Sequence, residues 1–168
     1  MTQSPSFDIV PADRHHVPAI HAMIHELAQF EKLEHLITGT VENLHAELFG
    51  EHPVIEAVTA LINGTPVAFA LYFHNYSTFL GRKGLYLEDV YVKPAYRRQG
   101  IGRALLIHLA RIAVARGCGR FEWSVLDWNA PAIAFYKGLG ADILAEWQIV
   151  RVTGEALTAL AAKKAGYG

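Results

Sequence analysis

Residues 91–105 read YVKPAYRRQGIGRAL. An aromatic and β-branched run, LYLEDVYV (85–92), is stopped by Pro94, and an apolar helical pattern begins at Ile101, with Leu105, Leu109, Ile112 and Ala113 along one face as far as Arg116. Between the two lie Arg97, Arg98 and Gln99, then Gly100 and Gly102 around Ile101, then Arg103. The first turn of a helix leaves backbone amides unpaired and exposes the positive end of its dipole. Glycines there remove side-chain bulk, so an anion can approach the amides, and the arginines add charge around it. Strand, glycine turn and helix together predict a phosphate or pyrophosphate cradle.

The remainder of the chain predicts an α/β domain. SFDIVPA (6–12) reads as a strand ended by Pro11, and Asp13 can cap a helix carrying Val17, Ile20, Ile24, Leu27 and Ala28. Thr40 opens a second helix closed by Gly50. VIEAVTALINGTPVAFALYFH (54–74) is a hairpin turning on Asn63-Gly64, followed by a loop, STFLGRKG. Beyond the central helix, RFEWSVL (120–126) reads as a strand and Asn129 to Lys137 as a short helix with Pro131 in its first turn. ADILAEW and QIVRV suggest two closing strands, and GEALTALAAKKAG a C-terminal helix. The order implies a mixed sheet in one domain, residues 1–168.

With 168 residues, 52% hydrophobic and 18% charged, the chain has a globular composition, and its net charge of −1 argues against a general nucleic-acid binder. No apolar run approaches the ~18–20 residues that cross a bilayer. Cys118 has no intrachain partner and no signal pattern opens the chain, so the expected compartment is the cytoplasm, with no membrane partner. Cys118 sits in the turn GCG with no evident histidine base, which makes it structural filler rather than a nucleophile. His21 and His25 are spaced to share a helix face, but no third ligand is evident, so no metal is expected.

Three designs bind phosphate with such a turn. A P-loop needs Lys followed by Ser or Thr, where Arg103-Ala104 stands. A dinucleotide fingerprint needs Gly or Ala where Leu105 stands, although Glu122 lies about twenty residues on, as that motif wants. The third is a strand ending in valine, then Arg97, Gly100 and Gly102. That pattern resembles the coenzyme A loop of the GNAT N-acetyltransferases, and the element order is similar over nearly the whole chain. A second motif, LDWNAPAIAFYKGLGA (126–141), supports it: Asn129 can cap its helix, and Tyr136, two turns on, shares Asn129's face.

The resemblance implies a GNAT fold: a mostly antiparallel mixed sheet with a central, splayed parallel strand pair, flanked by helices. It implies acetyl-CoA as co-substrate, held by Val90, Tyr91, Val92, Arg97, Arg98, Gln99, Gly100, Ile101, Gly102 and Arg103, and by Asn129, Ala130, Pro131 and Ala132. The amides of Tyr91 and Val92 would hold the acetyl carbonyl and pantetheine. Tyr136 would protonate the departing thiolate after direct attack by an amine, with no acetyl-enzyme.

HELAQFEKLE, FGEHP, YLEDVYV and VLDWN narrow the resemblance to the spermidine/spermine acetyltransferase group, and YST (76–78) with LDWN (126–129) to its thialysine N-epsilon-acetyltransferase branch. The polyamine branch has an acidic residue where Ser77 stands. The group implies a homodimer and a small primary amine, such as a lysine-like amino acid or a diamine. Phe30, Glu31, Ser77, Thr78, Glu88, Glu122, Trp123 and Ser124 would line its pocket, with Glu146 and Trp147 from a late loop. Glu88 matches the group's base and would take the ammonium's proton or attract the cation. In a regular strand Asp89 points to the opposite face, unless a bulge intervenes. A polyamine enzyme, a protein-amine acetyltransferase and an acyl-CoA-binding module remain alternatives.

Overall fold

The computed structural model describes residues 6–163, in two compact units divided between Ser124 and Val125. The first unit holds a five-stranded sheet in the order β1 (Asp8–Pro11), β2 (Glu56–Ile62), β3 (Thr65–Ser77), β4 (Arg82–Val92) and β5 (Phe121–Trp123). All neighbours are antiparallel except β4 and β5, which run parallel.

Local chemistry accounts for most boundaries. Asn63 and Gly64 take positive φ (49° and 76°), the geometry of a two-residue hairpin turn between β2 and β3. Asp13 accepts amides from His15 and His16 and leads into α1 (Val17–Glu31). Thr40 and Asn43 form a reciprocal capping box at the start of α2 (Val41–Phe49). The sheet is covered on both faces, so six successive residues of β3, Val67 to Tyr72, are buried. Phe69, Leu71 and Tyr91 pack with Val17, Ile20 and Met23 of α1 and Leu48 of α2. The other face carries α3 (Ile101–Ala115), whose buried residues are Ile101, Leu105, Leu106, Leu109 and Ala113. Removing a fully buried side chain the size of Phe69 typically costs about 3–5 kcal/mol. Buried Thr59 is satisfied, its hydroxyl donating to the Ala68 carbonyl at 2.8 Å.

The second unit contains α4 (Ala130–Gly138) and α5 (Gly154–Ala161). The helix expected over 154–166 ends at Ala161, and 164–166 lie outside the described residues.

Three expectations change. The strand expected over 120–126 shortens to Phe121–Trp123, because its partner β4 bulges just beyond Leu87, where the ladder stops. ADILAEW and QIVRV form no strand, because apolar and β-branched residues alone do not make one without a cross-strand partner. In consequence the parallel pair β4–β5 ends the strand order instead of lying at its centre.

Candidate active site

The bulge is the first element of the site. Leu87 pairs with Tyr72 and Asp89 pairs with Leu71, so Glu88 has no partner on β3. Tyr72 and Leu71 are consecutive and point to opposite faces, and Leu87 and Asp89 must do the same. In an unbulged strand they would share a face. The bulge thus turns Asp89 onto the face of Leu71, under α1, where the sequence periodicity had put it opposite Glu88. Three carboxylates gather there: Asp89, exposed Glu88, and Glu31 at the last position of α1. Burial, then the charges of Glu88 and Glu31, raise the Asp89 carboxyl to about 6. Burial also raises Glu31. No periodicity in the sequence marks Asp89, since its placement depends on a register shift.

Beyond the bulge, β4 has β3 on one side and no β5 partner on the other. Lys93 donates its amide to Val67 at 3.0 Å, continuing the register in which Tyr91 faces Phe69. Alternation then directs the amides of Asp89 and Tyr91 into β3, and those of Val90 and Val92 to the open edge. Of the two amides expected from sequence to hold ligand, Val92 lies on that edge with Val90, and Tyr91 is turned into the sheet.

The cradle follows. Arg98 and Gly100 adopt positive φ (64° and 83°), and Gly100 is the N-cap of α3 without a side-chain cap. The first intrahelical bond is Ala104 to the Gly100 carbonyl, 2.9 Å, so the amides of Ile101, Gly102 and Arg103 carry no carbonyl partner among the described residues. A Cβ at Gly100 would meet nothing within 4 Å, and one at Gly102 only Val92 at 3.7 Å. Free amides, open space and the exposed Arg98 and Arg103 fit a pyrophosphate. Gln99 folds back, its amide nitrogen 3.4 Å from the Ala95 carbonyl.

Arg97 is used differently from its neighbours. Its Nε donates to the Val92 carbonyl at 2.9 Å, and its guanidinium lies 5.4 Å from the Tyr91 ring and 5.7 Å from that of Phe30. The Tyr91 hydroxyl donates to Glu26 at 3.0 Å, and Lys93 lies 3.8 Å from the same carboxylate. Burial and then the bond to Glu26 raise Tyr91, so the hydroxyl remains a donor.

Other expected residues lie elsewhere or are engaged. Ser77 is buried, its hydroxyl accepts the Leu80 amide at 3.2 Å, and with Thr78 it sits at the hairpin tip, five residues or ~17 Å along β3 from the bulge. Asn75 donates to Glu122 at 2.7 Å, and Arg120 pairs with Glu122 at 3.0 Å, leaving it little charge to offer an amine. Ser124 bonds the Tyr86 hydroxyl at 2.9 Å, and the Trp123 ring lies 4.8 Å from that of Phe121.

In the second unit, Asn129 caps α4 through the Ala132 amide at 3.4 Å, with Ala130 and Pro131 completing the first turn. Tyr136 lies two turns on, part-buried, its ring 5.5 Å from Phe135. The residues around it in sequence, Trp128 and Trp147, are exposed, as is Glu146.

Two side chains set aside on sequence grounds find partners. Cys118 does have a histidine nearby, His74, with Sγ 3.9 Å from Nδ1. That nitrogen is also 2.9 Å from the Gly84 carbonyl, and Arg116 donates to Nε2 at 3.0 Å. The proton is therefore on Nδ1, and His74 is no base toward the thiol. His21 bonds the Gly39 carbonyl at 3.0 Å, and its ring lies 4.8 Å from that of His25, tilted by 60°. Among the described residues no group of three His, Cys, Asp or Glu could hold a metal ion. No helix among them is long and apolar enough to cross a membrane.

Comparison with known proteins identifies the family. The acetyltransferase (GNAT) family matches residues 21–141, which span the bulge, the cradle and Tyr136. The chain belongs to the GNAT acetyltransferases. It is 43% identical over 155 residues to the thialysine N-epsilon-acetyltransferase of Mus musculus, covering 86% of this chain and 91% of that one. It is 35% identical over 190 residues to an L-ornithine N5-acetyltransferase of Arabidopsis thaliana, covering 86% and 83%. An integron cassette protein from V. cholerae superposes with a TM-score of 0.78 at 28% identity, covering 94% of this chain and 99% of that one. As a GNAT protein with these relatives the chain is an N-acetyltransferase, and its family uses acetyl-CoA.

Proposed function

We propose that this GNAT protein transfers the acetyl group of acetyl-CoA to the primary amine of a small substrate, a lysine- or thialysine-like amino acid or a diamine, by direct attack in a ternary complex. Residues 1–168 act as one catalytic domain in the cytoplasm and, as the resemblance implies, in a homodimer. The observation that carries the reading is the bulge at Glu88. It sets two carboxylates beside an open strand edge, and that strand runs on into an anion cradle.

Acetyl-CoA supplies the activated acetyl group as a thioester. Ile101, Gly102 and Arg103 amides, with Arg98 and Arg103, would hold its pyrophosphate, and the Val90 and Val92 amides its pantetheine arm and acetyl carbonyl. An alkyl ammonium has a pKa near ~10, so it arrives charged and must lose a proton before it can attack. Glu31, Glu88 and Asp89 attract the cation. Glu88 or Asp89 then accepts that proton, directly or through water, and Tyr136 donates its own to the leaving sulfur.

A polyamine substrate is the second reading. The case against it rested on Ser77, whose hydroxyl is occupied by Leu80 far along the hairpin from the bulge. The activities for which the relatives are named, on thialysine and ornithine, support the shorter amine.

The test measures release of free coenzyme A with thialysine, lysine, ornithine, spermidine, spermine and no amine, for wild type and Tyr136→Phe. Turnover on the short amines, reduced ~10²–10⁴-fold in the variant, is expected. Dominant spermidine turnover would replace the substrate class. Tight acetyl-CoA binding without turnover on any amine would leave a protein-directed enzyme or a binding module.

A further inference from the structure

All three arginines at the cradle are exposed, and Arg97 engages the protein's own groups. Arg97 spans two parts of the site, and each of its contacts belongs to one of them. Its Nε holds the Val92 carbonyl at 2.9 Å, on the open edge of β4 that also presents the Val92 amide. Its plane lies near Phe30, the residue before Glu31 in the last turn of α1. It also lies near Tyr91, whose hydroxyl reaches back to Glu26, one turn earlier on the same helix. Lys93 closes the group by pairing with Glu26 at 3.8 Å. A guanidinium fits such a place because it is planar, can face aromatic rings and still donate sideways, where an ammonium is a point charge.

We propose that Arg97 is a positioning residue and not a phosphate ligand. It fixes the C-terminal turn of α1 to the end of β4, so that the amine-facing carboxylates and the ligand-facing strand edge keep one geometry. The inference rests on the acetyltransferase reading and adds to it a division of labour within the RRQGIGR loop. Arg98 and Arg103 serve the pyrophosphate, and Arg97 serves the alignment of the two substrates. Misplacement of reacting groups by ~1 Å costs on the order of 10²-fold in rate, so loosening this tie shows in turnover before it shows in anion binding.

Adenosine diphosphate separates the two roles, because it carries the pyrophosphate without the pantetheine arm. Its equilibrium binding, and kcat/KM with acetyl-CoA and thialysine, would be measured for wild type, Arg97→Gln, Arg97→Lys and Arg103→Gln, with thermal unfolding as a check on folding. Arg103→Gln is expected to weaken ADP by about tenfold, the loss of one charge-assisted contact. Arg97→Gln is expected to bind ADP within about twofold of wild type while kcat/KM falls by about tenfold or more. Arg97→Lys keeps the charge and is expected to recover little, because the planar fork is gone. If Arg97→Gln fails to fold, Arg97→Lys decides the matter on the same two readouts. ADP weakened in either variant as much as in Arg103→Gln would overturn the inference, and so would unchanged turnover. A wild type that binds no ADP would sink the cradle itself and this inference with it. A wild type that binds ADP but acetylates no amine would sink the transferase reading and, with no turnover to align, the positioning role too, while leaving the cradle standing.

Discussion

Replacing Asp89 by asparagine tests whether the fold holds a carboxylate at the bulge against its own stability. The carboxyl titrates near 3.8 ordinarily and about 6 in the folded chain. A rise of ~2 pH units at 1.36 kcal/mol each puts the penalty for its charge near 3 kcal/mol as a ceiling. An asparagine amide still needs hydrogen-bond partners there, which brings the expected gain to about 1–2 kcal/mol. The sign follows from linkage. Between pH ~4 and ~6 the folded chain holds a proton that the unfolded chain has released, so this group's contribution to stability falls as pH rises through that window and is flat above it. Glu88 on the bulge and Glu31 on α1 press the carboxyl toward its neutral form, and the Lys93 and Arg97 cations are engaged by Glu26 and Val92. Urea and thermal unfolding of wild type and Asp89→Asn at pH 4 and pH 8 read the difference directly. The variant is expected to be the more stable at pH 8, with a Tm about 2–8 °C higher, and to lose most of that advantage at or below pH 4. It is also expected to acetylate amines less well, because a neutral amide neither attracts a cation nor accepts its proton. A variant no more stable than wild type at pH 8 would refute the placement of Asp89 in a desolvated carboxylate cluster.

Gly100→Ala is expected to cost about 1–2 kcal/mol, because its φ of 83° strains any L side chain although space is open. Gly102→Ala is expected to stabilise by up to about 1 kcal/mol through helix propensity, its Cβ resting 3.7 Å from Val92, and thermal melts compare the two. Glu56 is held below the usual carboxylate range by its hydrogen bonds to Arg116, one of them 2.7 Å. Glu56→Gln is therefore expected to lose stability at pH 7 and to converge with wild type as pH falls below the ordinary 4.5 through the depressed value. The pair is more than a third exposed, so the loss is expected to stay within about 1 kcal/mol by urea unfolding.

The features that the sequence determined by itself are those written in adjacent residues. Asp13, Thr40 and Asn129 cap helices because a short polar side chain reaches amides two or three residues on. Asn63-Gly64 turns a hairpin because both accept positive φ, and Gly100 opens α3 for the same reason. The cradle was legible in RRQGIGR because all its parts lie within one loop and one helix turn. Tertiary structure decided whatever depends on a partner far along the chain. Asp89 joins Glu31 because β4 slips one residue against Leu71 and Tyr72, and no property of LYLEDVYV specifies that slip. Glu122 meets Asn75, and the Arg97 guanidinium lies beside Phe30 and Tyr91, contacts that only the folded chain brings about. ADILAEW and QIVRV have apolar and β-branched residues but no ladder to join. A helix cap or a tight turn closes its hydrogen bonds within a few residues, so sequence suffices for it. A strand register, an ion pair or a ring contact closes across tens of residues, and only the folded chain determines which groups meet.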